Sequence, residues 1–146
     1  MKSQLVKEIR AFNRFYTQVI GLINDHILDS DYSLPEARIL FELNQHPGLT
    51  ASELTGMLNM DKGYLSRVLR RFEDKKLIGR IVLATDKRVV VLKLTGKGKK
   101  EFGVLNRASD EQVEDAFRNL SERDGLLLVE KMIDIRRIIT QNKIFP

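Results

Sequence analysis

The sequence lacks several features on which whole classes of protein depend. None of its 146 residues is cysteine, which excludes disulfides, thiolate metal sites, cysteine nucleophiles and thiol redox sensing within this chain. No apolar stretch approaches the roughly 18 residues that a membrane span requires, and the polar N-terminus MKSQLVKEIR has no apolar region typical of a secretory signal. We therefore expect a cytoplasmic protein without a membrane partner, of a size that suits one ordinary domain.

The sequence also indicates neither a metal site nor a catalytic site. His26 and His46 lie on different predicted elements, and neither has an acidic or histidine neighbour at metal-ligand spacing. The run Gly96-Lys97-Gly98-Lys99 lacks the upstream glycine and the following Ser or Thr of a phosphate-binding P-loop. No candidate nucleophile is accompanied by a base. These observations predict a protein that is not an enzyme and that uses no metal or cofactor.

Positive charge, by contrast, is concentrated in one part of the chain. The formal net charge of the whole sequence is +5, but residues 62–100 contain thirteen Lys and Arg against three acidic residues, a net of +10. The rest of the chain therefore has a net charge of −5. Lysines that only increase solubility would be scattered, whereas one basic segment on an acidic protein favours an anionic partner bound at one location.

Apolar periodicity predicts a mainly α-helical fold. Side chains at steps of three and four residues form one apolar stripe along a long first helix. The capping-box patterns Ser33-x-x-Glu36 and Thr50-x-x-Glu53 precede the second and third helices, and Asp61 and Ser121 are suitable caps for two later ones. The predicted helices span about 5–27, 34–45, 51–59, 62–76, 95–120, with a kink near 109–110, and 122–139.

A β-hairpin is predicted between the fourth and fifth helices. Residues 78–83 and 89–94 are rich in β-branched side chains, and the charged turn Asp86-Lys87-Arg88 lies between them. In the second strand, positions 90, 92 and 94 alternate with positions 89, 91 and 93. This alternation predicts that the two sets lie on opposite faces, the first of them entirely apolar.

Two capped helices in succession, followed by a hairpin with a basic tip, are typical of a winged helix-turn-helix, which we predict for residues 33–100. In the second helix of the pair, Leu65, Val68, Leu69 and Phe72 have the spacing of a face directed at the core. The opposite side is basic, as suits a helix that enters the major groove of B-DNA. An arginine at the wing tip suits the narrow minor groove of A·T-rich DNA.

These expectations assign a role to each polar residue of the predicted interface. Ser66, Arg67 and Arg70 are the candidates for base contacts. Arg88 is expected to enter the minor groove, where Asp86 either holds the guanidinium in a bidentate pair or only forms the turn. The candidates for phosphate contacts are Lys62, Tyr64, Arg71, Lys87 and Lys97.

The segment DKGYLSRVLRRFEDKKLIGR, followed by ATDKRVVVLKLTGKG, resembles the recognition helix and wing of the MarR family of bacterial transcription regulators. The wing of that family has the pattern D-x-R…L-x-L-T-x-x-G, and the matching residues are Asp86, Arg88, Leu92, Leu94, Thr95 and Gly98. The resemblance covers essentially the whole chain. It implies a DNA-binding transcriptional regulator, a repressor by our prediction, that binds a pseudo-palindromic double-stranded operator as a homodimer and is released by a small aromatic or phenolic ligand.

The stretches IRAFNRFYTQVIGL and YSLPEARILFEL further resemble the regulator half of a subgroup that is fused to a GNAT-type acetyltransferase. This resemblance leaves a second hypothesis, namely a regulatory or dimerisation domain of an acetyltransferase system that acts through protein contacts. A third hypothesis is a winged helix that binds only protein. Steep dependence of DNA binding on salt would favour the regulator over both.

Residues 1–32 and 101–146 are expected to form a helical dimerisation region. The last helix is apolar around most of its circumference and the first has a long apolar stripe, so that packing with symmetry mates would make an isologous interface. The alternative is that both helices complete a monomeric core. For an aromatic effector, the candidate pocket residues are Phe12, Phe15, Tyr16, Tyr32 and Phe41, although aromatic residues at helical spacing also form ordinary cores.

Overall fold

The computed structural model describes residues 2–24 and 30–142, and within these ranges the chain forms six helices and one β-hairpin. This confirms the predicted fold class. His26 and the predicted end of the first helix lie outside the described residues. None of the described helices combines the length and the apolar character needed to cross a membrane. The elements are α1 (Lys2–Asn24), α2 (Leu34–Gln45), α3 (Ala51–Leu58), α4 (Lys62–Asp74), β1 (Ile78–Val82), β2 (Val90–Leu94), α5 (Gly96–Phe117) and α6 (Glu122–Gln141).

The helices begin where the sequence supplies caps. The backbone N–H of Ser33 donates to the Glu36 carboxylate at 2.8 Å, and that of Thr50 donates to Glu53 at the same distance. The Asp61 side chain accepts from the backbone of α4 at 2.7 Å, and Ser121 does the same for α6 at 3.1 Å. Each contact satisfies a donor or fixes the entry of a helix without long-range help. For this reason the sequence predicted these starts correctly.

The core of the winged segment is formed by α2, α3, α4 and the hairpin. Its fully buried side chains come from all of these elements, so the two helices of the helix-turn-helix and the wing form one packed body. Lys76, two residues after the end of α4 at Asp74, adopts the left-handed conformation (φ 60°), which prevents the helix from continuing and starts the turn into β1. The most buried apolar residues are Ile39, Leu40, Leu43, Leu54, Leu65, Leu69, Phe72, Leu77 and Leu92.

The two faces of β2 are less distinct than alternation predicts. The hairpin is antiparallel, with Ile78 opposite Leu94 and Val82 opposite Val90. Both Val91 and Leu92 are buried. The reason is a third segment along the free edge of β2, where Leu92 N–H donates to Leu49 O at 2.7 Å and Thr50 forms an isolated bridge with Val91. The connection between α2 and α3 therefore covers the edge of β2 opposite β1, beside Val91.

The connection from β2 into α5 packs tightly against the turn after α4. Thr95 Oγ1 donates to Lys76 O at 2.7 Å, and Thr95 N–H donates to Leu77 O at 2.9 Å. Gly98 then approaches so closely that a Cβ built on it would lie 2.0 Å from Leu77 O, a distance that no side chain permits. The last four residues of the wing pattern therefore build the fold, because Leu92 and Leu94 fill the core while Thr95 and Gly98 secure this crossing.

Residues 1–116 and residues 117–146 form two compact units. In the first, α1 has a large apolar surface, since Leu5, Val6 and Ile9 are each more than half exposed. In the second, no residue of α6 is buried, and Leu126 and Ile138 are 68% and 55% exposed. Helix α5 continues without interruption through 109–110, where a kink was predicted. Among the described side chains, none of α1 or α6 belongs to the buried core.

Candidate nucleic-acid interface

Helix α4 is fixed to the core by one face and leaves the opposite face open. Leu65, Leu69 and Phe72 are at most 1% exposed, and the Asp61 cap holds the first turn through the backbone N–H of Tyr64. Because these residues are locked, the side chains on the other face are presented by a rigid element. We call four exposed residues of that face the reading face: Lys62, Ser66, Arg67 and Arg70.

The cations of the reading face are not neutralised by ion pairs. Among the described residues, no carboxylate oxygen lies within 4.0 Å of the nitrogens of Lys62, Arg67 or Arg70. The guanidinium of Arg67 extends back toward the start of α4, since a Cβ added to Gly63 would lie 3.6 Å from its Nη1. The Asp61 carboxylate already caps the positive end of the α4 dipole, so the attraction for an anionic partner comes from the cationic side chains of the reading face.

The tip of the hairpin presents one ordered arginine. Arg88 donates from Nε to Asp86 Oδ1 at 3.2 Å and from Nη2 to Oδ2 at 3.3 Å, and its backbone N–H also donates to Oδ1 at 3.0 Å. This is the bidentate pair predicted from the sequence. The Arg88 side chain is nevertheless 91% exposed. We call Asp86, Lys87 and Arg88 the wing tip.

The same contacts control the ionisation of Asp86. The Arg88 guanidinium, and then its backbone N–H, stabilise the carboxylate and lower the pKa of Asp86 below its ordinary value. Asp86 therefore remains charged at all physiological pH values and continues to hold Arg88. The pair fixes the direction of the guanidinium while one edge of it stays open to a ligand.

The cations near the C-terminal end of α4 have protein partners instead. The Arg71 guanidinium pairs with the buried carboxylate of Glu36. Arg80 of β1 donates to Glu73 at 2.5 Å, and Lys97 Nζ donates to the carbonyl oxygen of Lys75 at 2.9 Å. Lys75 Nζ lies 5.1 Å above the ring of Tyr32. We call these cations with partners the anchored end: Arg71, Lys75, Arg80 and Lys97.

The structure thus divides the ten residues predicted at the interface. Seven lie on the reading face or the wing tip, whereas Arg71 and Lys97 belong to the anchored end, and Tyr64 is half-buried against the core. The sequence showed Glu36 as a capping residue but gave no sign of its second contact with Arg71. An ion pair between residues 35 positions apart has no local signature, so only the tertiary structure could show it.

A separate feature of residues 1–116 is a cleft of about 1050 Å³, bordered by α1, the start of α2, the end of α3 and α5. Tyr32 and Phe41, two of the five predicted pocket residues, line it. The other three do not: Phe12 and Tyr16 stack on each other along α1 with centroids 5.6 Å apart, and Phe15 is 61% exposed. The spacing of these three aromatic residues on one helix correctly indicated an aromatic cluster. It did not indicate which elements would enclose a ligand.

Tyr32 is a buried residue that lines the cleft. Burial, followed by the nearby carboxylates of Glu101 and Asp31, raises the pKa of its phenol. Its ring meets Phe72 of α4 edge-on at 6.1 Å between centroids. The hydroxyl therefore stays protonated at neutral pH and faces the carboxylate of Glu101, which also lines the cleft.

No metal site accompanies either feature in the described part of the chain. No group of three or more His, Asp or Glu residues there is arranged to hold an ion. His46 lies 3.6 Å from the buried carboxylate of Glu42, which also accepts from Arg38 at 2.8 Å. His46 is thus a helix-end neighbour of an ion pair within α2.

The segment that contains the reading face and the wing tip resembles known proteins. The model of the MarR family matches residues 32–90. The transcriptional regulator PetP of Rhodobacter capsulatus is 37% identical over 95 residues, which cover 64% of this chain and 57% of PetP. The regulator TcaR of Staphylococcus aureus is 27% identical over 130 residues, which cover 82% of this chain and 85% of TcaR. Both relatives are named as helix-turn-helix transcriptional regulators, a class without enzymatic activity.

Solved structures extend the likeness to the fold of nearly the whole chain. A MarR family protein from Bacillus stearothermophilus superposes with a TM-score of 0.81 over 96% of this chain and 99% of its own, at 16% identity. At such an identity the likeness to the solved structure concerns the fold alone. The family match includes the segment that contains the reading face and the wing tip. In the segment that contains the reading face and the wing tip, this chain is therefore similar to transcriptional regulators of the MarR family.

Proposed function

We propose that this chain binds a pseudo-palindromic operator as a homodimer and represses transcription from it. The single observation that supports this most is that Lys62, Arg67 and Arg70 of the reading face have no carboxylate partner among the described residues, unlike the cations of the anchored end. At the wing tip Arg88 pairs with Asp86 but its side chain stays 91% exposed. Such a surface complements the phosphates and groove edges of duplex DNA. The proposal includes the cytoplasm, where bacterial operators are found, as the place of action.

The proposed contacts follow the division of the basic residues. Ser66, Arg67 and Arg70 contact bases in the major groove, and Lys62 contacts an adjacent phosphate. Arg88, held by Asp86, enters the neighbouring minor groove, where a narrow A·T-rich segment attracts a guanidinium. Lys87 contributes a further phosphate contact. Compared with the expectation from sequence, Arg71, Lys97 and Tyr64 are left out, because their side chains already have partners within the fold.

The homodimer is supported by two helices with large apolar surfaces. Leu5 and Phe15 of α1 are each 61% exposed, and Leu126 of α6 is 68% exposed. Surfaces of this kind are covered in most soluble proteins. Their burial against a second copy would make a two-fold interface and place two reading faces roughly 34 Å apart, one turn of B-DNA.

Selection of bound sequences from a random DNA pool, followed by mobility-shift titration at several salt concentrations, tests the proposal. We expect an inverted repeat with half-sites one helical turn apart and a steep loss of affinity as salt increases. Light scattering should give the mass of a dimer at micromolar concentration. Recovery of no consensus, together with salt-insensitive binding, would reject the operator and favour the hypothesis of a protein partner.

We also propose the cleft as the site of a small aromatic effector. It is large enough for such a molecule, and Tyr32, Phe41 and Phe102 supply aromatic surface beside polar groups that include the Tyr32 hydroxyl. Phenolic acids are suitable first probes. Binding in the cleft should raise the thermal midpoint of the wild type but not of a variant in which Ala37, on the wall, is replaced by Trp to fill it. An equal shift in both proteins would place the ligand elsewhere.

A further inference from the structure

The C-terminal half of α4 is attached to one short segment, residues 32–36, by three contacts. The ring of Tyr32 meets Phe72 at 6.1 Å, and Lys75 Nζ lies 5.1 Å above the same ring. Glu36, one turn into α2, pairs with Arg71. Phe72 belongs to the apolar core face of α4, whereas Arg71 lies beside that face and Lys75 is the C-cap residue that follows the helix. Residues 32–36 therefore extend the attachment of α4 beyond its apolar core face.

Arg70 and Arg71 are consecutive in sequence but differ in surroundings. Successive residues of a helix point about 100° apart, which leaves Arg70 on the reading face and directs Arg71 toward Glu36. The Glu36 side chain is only 7% exposed. A buried carboxylate without a cationic partner is strongly unfavourable, so Arg71 is held at this position by the charge that it neutralises.

From this geometry we infer that Arg71 is a positioning residue, which sets the orientation of the recognition helix through Glu36 and does not contact a DNA phosphate. The inference rests on the proposed operator binding. When the contact with Glu36 holds α4, the helix presents Ser66, Arg67 and Arg70 in one orientation before DNA binds. Without this contact the helix must be ordered on binding, which weakens the affinity for DNA.

The experiment separates this role from a phosphate contact by the replacements Glu36→Gln, Arg71→Gln and both together. Glutamine at position 36 can still close the capping box with Ser33 N–H, so α2 keeps its start while the charge that holds Arg71 is removed. Glu53→Gln is the matched control, because Glu53 closes the same kind of box at 2.8 Å without an arginine partner. Lys62→Gln is the control for a cation that is proposed to contact a phosphate and has no ion pair among the described residues.

Affinity for the selected operator and its salt dependence are measured for all five variants and the wild type. We expect Glu36→Gln and Arg71→Gln each to weaken binding about threefold to tenfold, and the double variant to be no weaker than the worse single one. The slope of log K against log salt should stay at the wild-type value in these three. Lys62→Gln should reduce it by about 0.9, the contribution of one phosphate neutralised. Glu53→Gln should bind like the wild type.

The sign of the Glu36→Gln effect makes the test strict. Removal of a negative charge would by electrostatics alone strengthen binding to DNA, whereas loss of the tether weakens it. A reduced salt slope for Arg71→Gln, together with unchanged or tighter binding of Glu36→Gln, would overturn the inference and restore the phosphate contact. If Arg71→Gln does not fold, the comparison of Glu36→Gln with Glu53→Gln decides.

A measurement without DNA makes failure of the inference distinguishable from failure of the proposed function. Hydrogen exchange should be faster at the backbone amides of residues 71–74 in Glu36→Gln than in Glu53→Gln or the wild type. If no operator is recovered but exchange increases as expected, the tether stands and the proposed function fails. If exchange at these amides is equal in all three proteins, the tether does not hold α4.

Discussion

The reading face and the anchored end belong to the same basic segment but have different surroundings. Lys62, Arg67 and Arg70 have no carboxylate within ion-pair distance among the described residues, whereas Arg71 and Arg80 each have one. The positive charge counted from a sequence therefore includes cations in two different situations. Part of it is available to a ligand, and part neutralises acidic groups or caps carbonyls within the fold. The predictions below test how completely the two groups are separated.

The largest expected effect concerns the fold close to the anchored end. Gly98→Ala places a methyl group 2.0 Å from Leu77 O, so the crossing of α5 over the α4–β1 turn must open. We expect a loss of about 2–3 kcal/mol in the free energy of unfolding, as for other overpacked sites. Urea denaturation followed by circular dichroism measures it. Gly96→Ala, whose added Cβ meets nothing within 4 Å, is the matched control and should change stability little. Equal stability of both variants would show that the crossing is loose.

The wing tip should show the opposite behaviour. Arg88→Ala is expected to weaken operator binding by about 1–3 kcal/mol, as for a base-directed arginine, while the thermal midpoint stays near that of the wild type because the side chain is 91% exposed. Mobility-shift titration on the selected operator measures the loss. Lys93→Ala removes the same charge from an exposed position of β2 and serves as control. The minor-groove assignment would be contradicted by similar losses at the two positions.

Lys87 should give a smaller and less specific change. Lys87→Gln removes one proposed phosphate contact, so binding to specific and non-specific DNA should weaken alike and the salt slope should decrease by about 0.9. Titrations of operator and scrambled duplexes at several salt concentrations provide both numbers. A loss confined to the operator would assign a base-directed role to Lys87.

The smallest effect is the titration of Asp86. Its pKa is lowered by Arg88, so the pair stabilises the ordered wing tip above the ordinary aspartate pKa of about 3.9, and this contribution is lost as the pH falls through the lower value in the folded protein. Carboxyl chemical shifts followed by NMR should show a midpoint below the ordinary value in the wild type. In Arg88→Ala the midpoint should return toward it. An identical midpoint in both proteins would mean that the pair does not persist in solution.

How much could be foreseen depends on the range of the interactions. The starts of α2, α3, α4 and α6 were predicted because a cap and its partner lie within three residues. The bidentate pair at the wing tip was predicted for the same reason, since Asp86 and Arg88 are two residues apart. The burial of Val91 was not, because the segment that covers it precedes β2 by some forty residues. The division of the chain into residues 33–100 and two flanking dimerisation regions stays a prediction.

The sequence by itself determined the fold class and the residues from which an interface can be built. Periodicity, caps and the wing pattern are local, and local preferences are encoded within a few neighbouring residues. Only the tertiary structure decided which cations have partners within the fold. The packing of α2, β1 and α5 around α4 brings Arg71 to Glu36, Arg80 to Glu73, and Lys97 to the carbonyl oxygen of Lys75. It likewise placed Tyr32 and Phe41 in the cleft and left Phe12, Phe15 and Tyr16 outside it. An enclosed space is a property of several elements together and of no single one.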